Sequence, residues 1–422
     1  MASLVTSKFR VHNAQQFAEA FSEASNTIMY LFIGKNTTFP NDNSPPTPVN
    51  STANIEYTPW RDMYAAKRIT TSDVTHAIER YDWTSGTVYD QYDDQDTNLL
   101  EDDFYVMTED YNVYKCLFNA GATASTTKPT GVSTSPFTTA DGYIWKYMYT
   151  VTTAKALKFL TNDYIPVQTL ASDDGTDQWD VQQAAVDGGI HVVKVTAGGS
   201  GYATAPAVTI TGDGTGATAN STITANVVTS VTITAAGTGY TRASVSFASG
   251  AATANAIISP QGGHGSDAVE ELGGKFIMLN VRLDGNESNT FSVANEFRQV
   301  GIVRDPYLYG TTTRAVASSF RQSFKYQLSS ISGTFTVDET ITSGSNTASL
   351  IEFTTPSIFT TLPLNLPFAN TATVTGGTSG ATGTIAAITT PGLKPYSGDI
   401  IYVENRVPIA RADDQIEDVK LV

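Results

Sequence analysis

The chain has 422 residues, a net charge of −16 and only 16% charged residues against 41% hydrophobic and 10% aromatic. That length exceeds what one hydrophobic core usually organises, so two or more folded units are expected. The aromatic content excludes a broadly disordered chain, the lack of a Gly-X-Y period excludes collagen, and the shortage of Glu, Lys and Leu excludes a coiled coil.

In chain order, Asn13-x-x-Gln16 has the form of a capping box. Ala14, Phe17, Ala18 and Phe21 follow it at helical spacing. Ile28 to Ile33 reads as a buried strand ended by Gly34, and Lys35 to Asn54, with four prolines and five asparagines, as a long surface loop. Thr58-Pro59-Trp60 has the chemistry to open a second short helix. Val113 to Leu117 is a strand pattern holding Cys116, the one cysteine of the chain. A lone cysteine forms no internal disulfide and builds no thiolate zinc site, so it reads as an inert buried thiol. After the Asp141-Gly142 turn, Tyr143, Trp145, Tyr147 and Tyr149 fall on one strand face, with Ile144, Lys146 and Met148 on the other. Rings that each bury ~150–250 Å² must be covered, by the core in preference to another chain.

Charge density then divides the sequence. Gly189 to Gly262 and Ser329 to Gly392 each hold three charged residues, and both are rich in Thr, Ala, Gly, Ser and Val. Each contains a repeat. Val193-Lys194-Val195-Thr196-Ala197 runs into Gly199-Ser200-Gly201-Tyr202, and is echoed by Val231-Thr232-Ile233-Thr234-Ala235 and Gly237-Thr238-Gly239-Tyr240. The alternation predicts half-buried strands, the glycines tight turns, and Val208/Ile210 with Val245/Phe247 the return strands. Ile341-Thr342-Ser343-Gly344 is echoed by Val374-Thr375-Gly376-Gly377. The expected organisation is therefore a core over 1–188, 263–328 and 393–422, interrupted by β modules at 189–262 and 329–392.

No strong catalytic or metal motif is present. Gly212-x-Gly214-x-Gly216 reads as a turn, because no amphipathic helix follows it. Gly263-His264-Gly265-Ser266-Asp267 reads as a flexible linker, since a nucleophile elbow needs glycine where Ala268 stands. The best metal candidate is the acidic run Asp90, Asp93, Asp94, Asp96, Glu101, Asp102 and Asp103. It lacks the alternation and glycine of a calcium loop, so it reads as a solvated loop or a patch for a basic partner. A carboxylate pair for glycoside chemistry stays open, because such partners need not be close in sequence. The histidines at 12, 76, 191 and 264 lie far apart and read as surface or core residues. The negative charge, with no basic run, argues against nucleic acid and anionic membranes as partners. The N-terminus has no apolar core of signal-peptide length and no stretch is apolar enough to span a membrane, so a soluble protein of a reducing compartment is expected.

Eight segments are informative together. VTSKFR (Val5 to Arg10), WRDM (Trp60 to Met63), RYDW (Arg80 to Trp83) and VYKCL (Val113 to Leu117) come first. DGYIWKYMYTV (Asp141 to Val151), NDYIPV (Asn162 to Val167) and FRQVGIVRDP (Phe297 to Pro306) follow, before the C-terminal run from Ser397 to Val422. In this order they resemble the baseplate wedge subunit of T-even-type contractile-tailed phages, the product of gene eight. The likeness covers about two-thirds of the chain and leaves out the two β modules.

The resemblance implies a mainly β fold, a β-sandwich core with inserted domains and a few short helices. It implies a non-enzymatic virion protein of the tail baseplate, assembled in host cytoplasm and without cofactor or metal. It further implies a homodimer contacting the wedge proteins encoded by genes six, seven and ten. On this reading Glu404, Asn405 and Arg406 form a structural corner whose guanidinium fork meets a carboxylate, or else an exposed hairpin with a solvated arginine. Tyr143, Trp145 and Tyr147 are the other structural or interface candidates. A different reading is a carbohydrate-binding adhesin using the β modules, with Tyr202 and Tyr240 stacking on sugars. The competing reading has those rings packed under their own glycine turns.

Overall fold

The computed structural model describes residues 4–23 and 27–422. Among these the protein is mainly β, with 25 strands and five short α-helices. It forms two compact units, one of residues 1–16, 75–278 and 422, the other of residues 17–74 and 279–421. The stretches expected as one interrupted core are thus shared between two units, each of which carries one β module. Charge density could not reveal that division, because the host parts of the two units are charged to nearly the same degree.

In the first unit a four-stranded sheet runs in the order Tyr105–Met107, Asn112–Phe118, Ile144–Thr150 and Phe137–Thr138. Both faces of its centre are covered. Tyr143, Trp145 and Tyr147 pack with Tyr89, Tyr114, Cys116 and Val181. The alternation predicts Tyr149 on the same face, but it does not share it. Val113 pairs with Tyr149 but Tyr114 pairs with Tyr147, so Met148 is an extra residue. That bulge moves Tyr149 into the opposite core, beside Met148, Val113 and Leu117. The first helix, Ser7–Glu19, also starts earlier than the capping box at Asn13 suggests. The Thr6 hydroxyl accepts from the Phe9 amide at 3.2 Å, and Val11 and Ala14 are the helix's buried residues.

Further along the same unit, strands Thr215–Thr224, Val227–Thr238, Ile190–Ala197 and Thr253–Ile258 form one sheet in that order. Val208–Gly212 pairs with Ala243–Phe247, matching Ile210 to Val245. The two copies of the repeat meet where Val231 pairs with Val193. Outward positions carry hydroxyl pairs instead of charges, such as Thr218 with Thr234 at 2.7 Å and Thr211 with Ser244 at 2.8 Å. Tyr240 is 4% exposed and Tyr202 3% exposed. The Tyr240 ring lies against Gly212, Gly214 and Gly237, where an added Cβ would come within 2.9, 2.5 and 2.9 Å of it. Both rings are therefore buried under glycine turns, which leaves neither with a face for stacking on a sugar.

The second unit holds a five-stranded sheet in the order Ser319–Arg321, Met63–Arg68, Met29–Gly34, Phe297–Arg304 and Asp399–Ile409. Every residue of Met29–Gly34 is buried, as a central strand with an unbroken apolar run should be. Thr58 does not cap the helix Thr58–Asp62. A π-turn over Ala53–Tyr57 runs into it, and the Thr58 hydroxyl donates back to the Ala53 carbonyl at 2.9 Å.

The low-charge stretch of this unit lies in a closed six-stranded barrel between Phe324 and Thr389, filled by Tyr326, Leu350, Ile358, Val374 and Ile385. The repeat strands again meet, with Ile341 opposite Gly376. Glu339, just before the first of them, holds the turn between Thr373–Gly376 and Thr382–Thr389. Its carboxylate, in a residue 4% exposed, accepts from the amides of Thr336, Thr378 and Ser379 and from the Ser379 hydroxyl. Those bonds outweigh burial and hold its pKa below the usual range. Glu339→Ala is expected to lower barrel stability by about 3 kcal/mol, because four donors lose a charged acceptor. Hydrogen exchange in Thr373–Gly376 and Thr382–Thr389 measures it.

Candidate functional site: an acid-rimmed groove beside a buried ionic cluster

A groove of about 1060 Å³ lies in the first unit. Its floor is made by His191 to Val195 and Thr229 to Ala236, one side by Phe118 and Ile144, and its rim by Asp90, Asp93 and Asp96. These come together because Ile190–Ala197 and Val227–Thr238 pair through Val193 and Val231, whose side chains enter the module core, and the acidic loop lies along the opposite face, where Lys194 meets Asp93. Lys194 is the only cation of the lining, and its ammonium sits 3.3 Å from Asp93. Among the described residues no cation lies within ion-pair distance of Asp90 or Asp96. Nearby carboxylates crowd one another. Burial and then Asp90, Asp96 and Glu101 raise the pKa of Asp102, and burial does most to raise that of Asp103. Glu101 is compensated, by Lys275 at 2.6 Å and Arg10 at 3.5 Å.

The acidic run does not make a metal centre. Among the described residues no three His, Cys, Asp or Glu side chains are placed to hold an ion. The loop spreads its carboxylates along a rim, and Asp94 turns aside to accept the Ile258 amide at 3.3 Å.

His191, in the groove wall, leads inward to a cluster that sequence spacing could not show. Its ring centroid is 5.6 Å from that of His264, which meets the Tyr92 ring edge-on at 4.8 Å. Beneath them Lys115 donates to Glu271 at 2.8 Å, with side chains 0% and 2% exposed. The Lys115 ammonium also sits 4.2 Å over the Tyr92 ring. The second Glu271 oxygen accepts from the amides of Gly265 at 2.7 Å and Asp267 at 3.2 Å. Lys146 reaches the Thr134 carbonyl nearby.

Burial dominates the proton affinities here. It pulls Lys115 down against the attraction of Glu271, and carries Lys146 to about 8. It carries His191 to about 4, aided by Lys146 and Lys115, and His264 well below its ordinary value. Nδ1 of His264 is buried without a hydrogen-bond partner, 3.9 Å from Glu271. The arrangement is an internal ion pair roofed by two neutral imidazoles. Apart from His191 it is closed to solvent, so it can hold strands together but cannot meet a substrate.

The segment Gly263 to Asp267 is thus not a flexible linker. Gly263, His264 and Gly265 are buried. An added Cβ would stand 2.4 Å from the Val186 backbone at 263 and 2.6 Å from the Val181 side chain at 265. Two glycines bracketing a histidine were the available sign of that close approach. Of the other histidines, His12 is exposed and His76 donates from Nδ1 to the Gly274 carbonyl at 3.1 Å.

Tyr143, Trp145 and Tyr147 are 0%, 0% and 1% exposed. Tyr143 stacks on Trp145 at 5.4 Å, and its hydroxyl donates to the Thr123 carbonyl at 2.5 Å. They are core residues and offer no surface to a partner.

Glu404, Asn405 and Arg406 lie in the second unit, in mid-strand. Neither the corner nor the hairpin of the sequence reading forms, because Asp399–Ile409 continues through them opposite Phe297–Arg304. The expected guanidinium fork does form. Arg406 donates to both Glu404 oxygens at 2.9 and 3.2 Å, and to the Lys420 carbonyl at 2.6 Å. Asn405 points to the other face, accepting from Gln299 at 2.9 Å and donating to the Pro46 carbonyl at 2.8 Å.

No helix among the described residues is long and apolar enough to cross a membrane. No protein-family model matches the chain, and the comparison with curated proteins finds no match.

Proposed function

We propose that the protein is a structural subunit of a contractile-phage baseplate wedge, a homodimer that links neighbouring wedge proteins and catalyses no reaction. The partners on this reading are a second copy and the wedge proteins of genes six, seven and ten in the T-even family, within the virion. The observation that carries it is the 11-residue strand Asp399–Ile409 at the edge of its sheet. An edge strand presents unpaired amides and carbonyls to whatever lies alongside. Ile401 and Val407 on this strand are 41% and 52% exposed, and the exposed Tyr57 and Tyr396 rings meet at 5.6 Å in the same unit. Exposed aliphatic and aromatic groups beside an open edge suit an obligate interface, which commonly buries 2,000 Å² or more.

Sedimentation of the purified protein, alone and mixed with candidate wedge proteins, tests the reading. A dimer that enters a larger complex is expected, and a strict monomer that binds none of them would overturn it. Arg406→Ala should weaken assembly more than folding, because its partly exposed pair with Glu404 is worth about 1 kcal/mol or less to the isolated fold. Normal incorporation with a lowered melting temperature would reverse that order.

A further inference from the structure

We propose that the acid-rimmed groove receives an extended, lysine- or arginine-bearing segment of a partner protein. The inference deepens the assembly reading and rests on it, but it concerns the first unit and not the strand edge. The groove's shape suits a chain. Its floor follows eight consecutive residues, Thr229 to Ala236, and at ~3.3 Å per residue that is roughly 26 Å of strand. Its volume of about 1060 Å³ is at or beyond the upper end of sites built for one small molecule.

The chemistry of the lining then selects the occupant. Val231 and Ile233 turn into the module's own core, so this strand shows the exposed Ser230, Thr232 and Thr234 to the groove, while the partly buried Phe118 and Ile144 form an apolar side. Asp90 and Asp96 are exposed at the rim and have no cation of their own. Lys194 is already engaged with Asp93 at 3.3 Å. His191 is held neutral by burial and by two lysines, so it does not offset the rim. Such a lining repels phosphates and attracts ammonium and guanidinium groups on a strand whose backbone and other side chains meet the floor's hydroxyls. A second copy of this chain, at net charge −16, is a poor source of such a segment.

An array of random octapeptides, together with neutral oligosaccharides, probed with the full-length protein tests the proposal. Bound peptides are expected to be enriched in Lys and Arg. In the doubly substituted protein, Asp90→Asn with Asp96→Asn, binding to those peptides should fall about tenfold. The substitutions are at exposed positions, so an unchanged melting temperature would show that the fold is kept. Absence of basic enrichment, preference for acidic peptides or oligosaccharides, or full binding by the doubly substituted protein would overturn it. The sedimentation result is read separately. A dimer with a groove indifferent to basic peptides removes this inference alone, whereas a monomer removes the assembly reading whatever the array shows.

Discussion

Glu271→Gln is expected to cost the first unit about 3–5 kcal/mol, because it leaves the Lys115 ammonium buried and unpaired. The substitution keeps an oxygen for the Gly265 and Asp267 amides, so the loss reports the charge and not the turn. Tyr92 still shields one side of the ammonium, but a ring face at 4.2 Å does not replace a carboxylate. A chain of two units need not unfold in one step, so a single melting temperature is a poor readout. Hydrogen exchange in Asn112–Phe118 and Ile144–Thr150 is the better one, since Lys115 and Lys146 sit on those strands. Combining Lys115→Met with Glu271→Leu should restore most of the protection, because apolar pairs of similar volume often replace buried ion pairs at little cost. Full protection in Glu271→Gln alone would show that the pair is not what closes this part of the core.

The second large effect is loss of stability on mild acidification. His191 and His264 are neutral in the folded protein, with proton affinities below those of the unfolded chain. The unfolded chain therefore takes up protons first as the pH falls. Stability from this source is complete above about 6.5, the unfolded value. It drains away between there and about 4 for His191, and continues to a lower pH for His264. For His191 the full change corresponds to about 3 kcal/mol. Burial sets its direction, and the groups facing the two rings modify it: Lys115 and Lys146 oppose a further positive charge, Glu271 favours one, and Tyr92 is neutral throughout this range. His191→Gln should reduce the decline between pH 6.5 and 4 to about half, the share that belongs to His264. The losses below about 4 should remain, because they belong to His264 and to carboxylates held low in the fold, such as Asp141 at about 2. An equally steep decline in that variant would place the titrating group elsewhere.

The strands of the β modules were legible because their side chains alternate against a thin core, and period 2 is the most direct trace a half-buried strand leaves. The aromatic strand was legible only in part. Tyr143, Trp145 and Tyr147 fall together as expected, but one unpaired residue at Met148 sends Tyr149 to the other side, and bulges have no mark in composition. The His191–His264 pair was invisible for a different reason. The two residues are 73 positions apart in the chain and meet only because the strands on either side of a module return to one place. The groove shares that origin, since its floor and rim come from distant segments. The acidic residues of the rim were recognised, whereas the hydroxyl-bearing floor beside them was not. Arg406 was placed with its carboxylate but in the wrong setting, because Pro408 suggests an exit where an edge strand simply tolerates it.

The ring of Tyr240 bears on how this molecule can drift through generations. It occupies the space in which side chains at 212, 214 and 237 would begin, so those three glycines and the tyrosine form one inherited set. A single change at any of the four breaks the arrangement, and only a joint change could be neutral. A stretch composed of small, interchangeable residues is therefore less free to vary than its composition suggests, and its lineage should record these four positions as moving together or not at all.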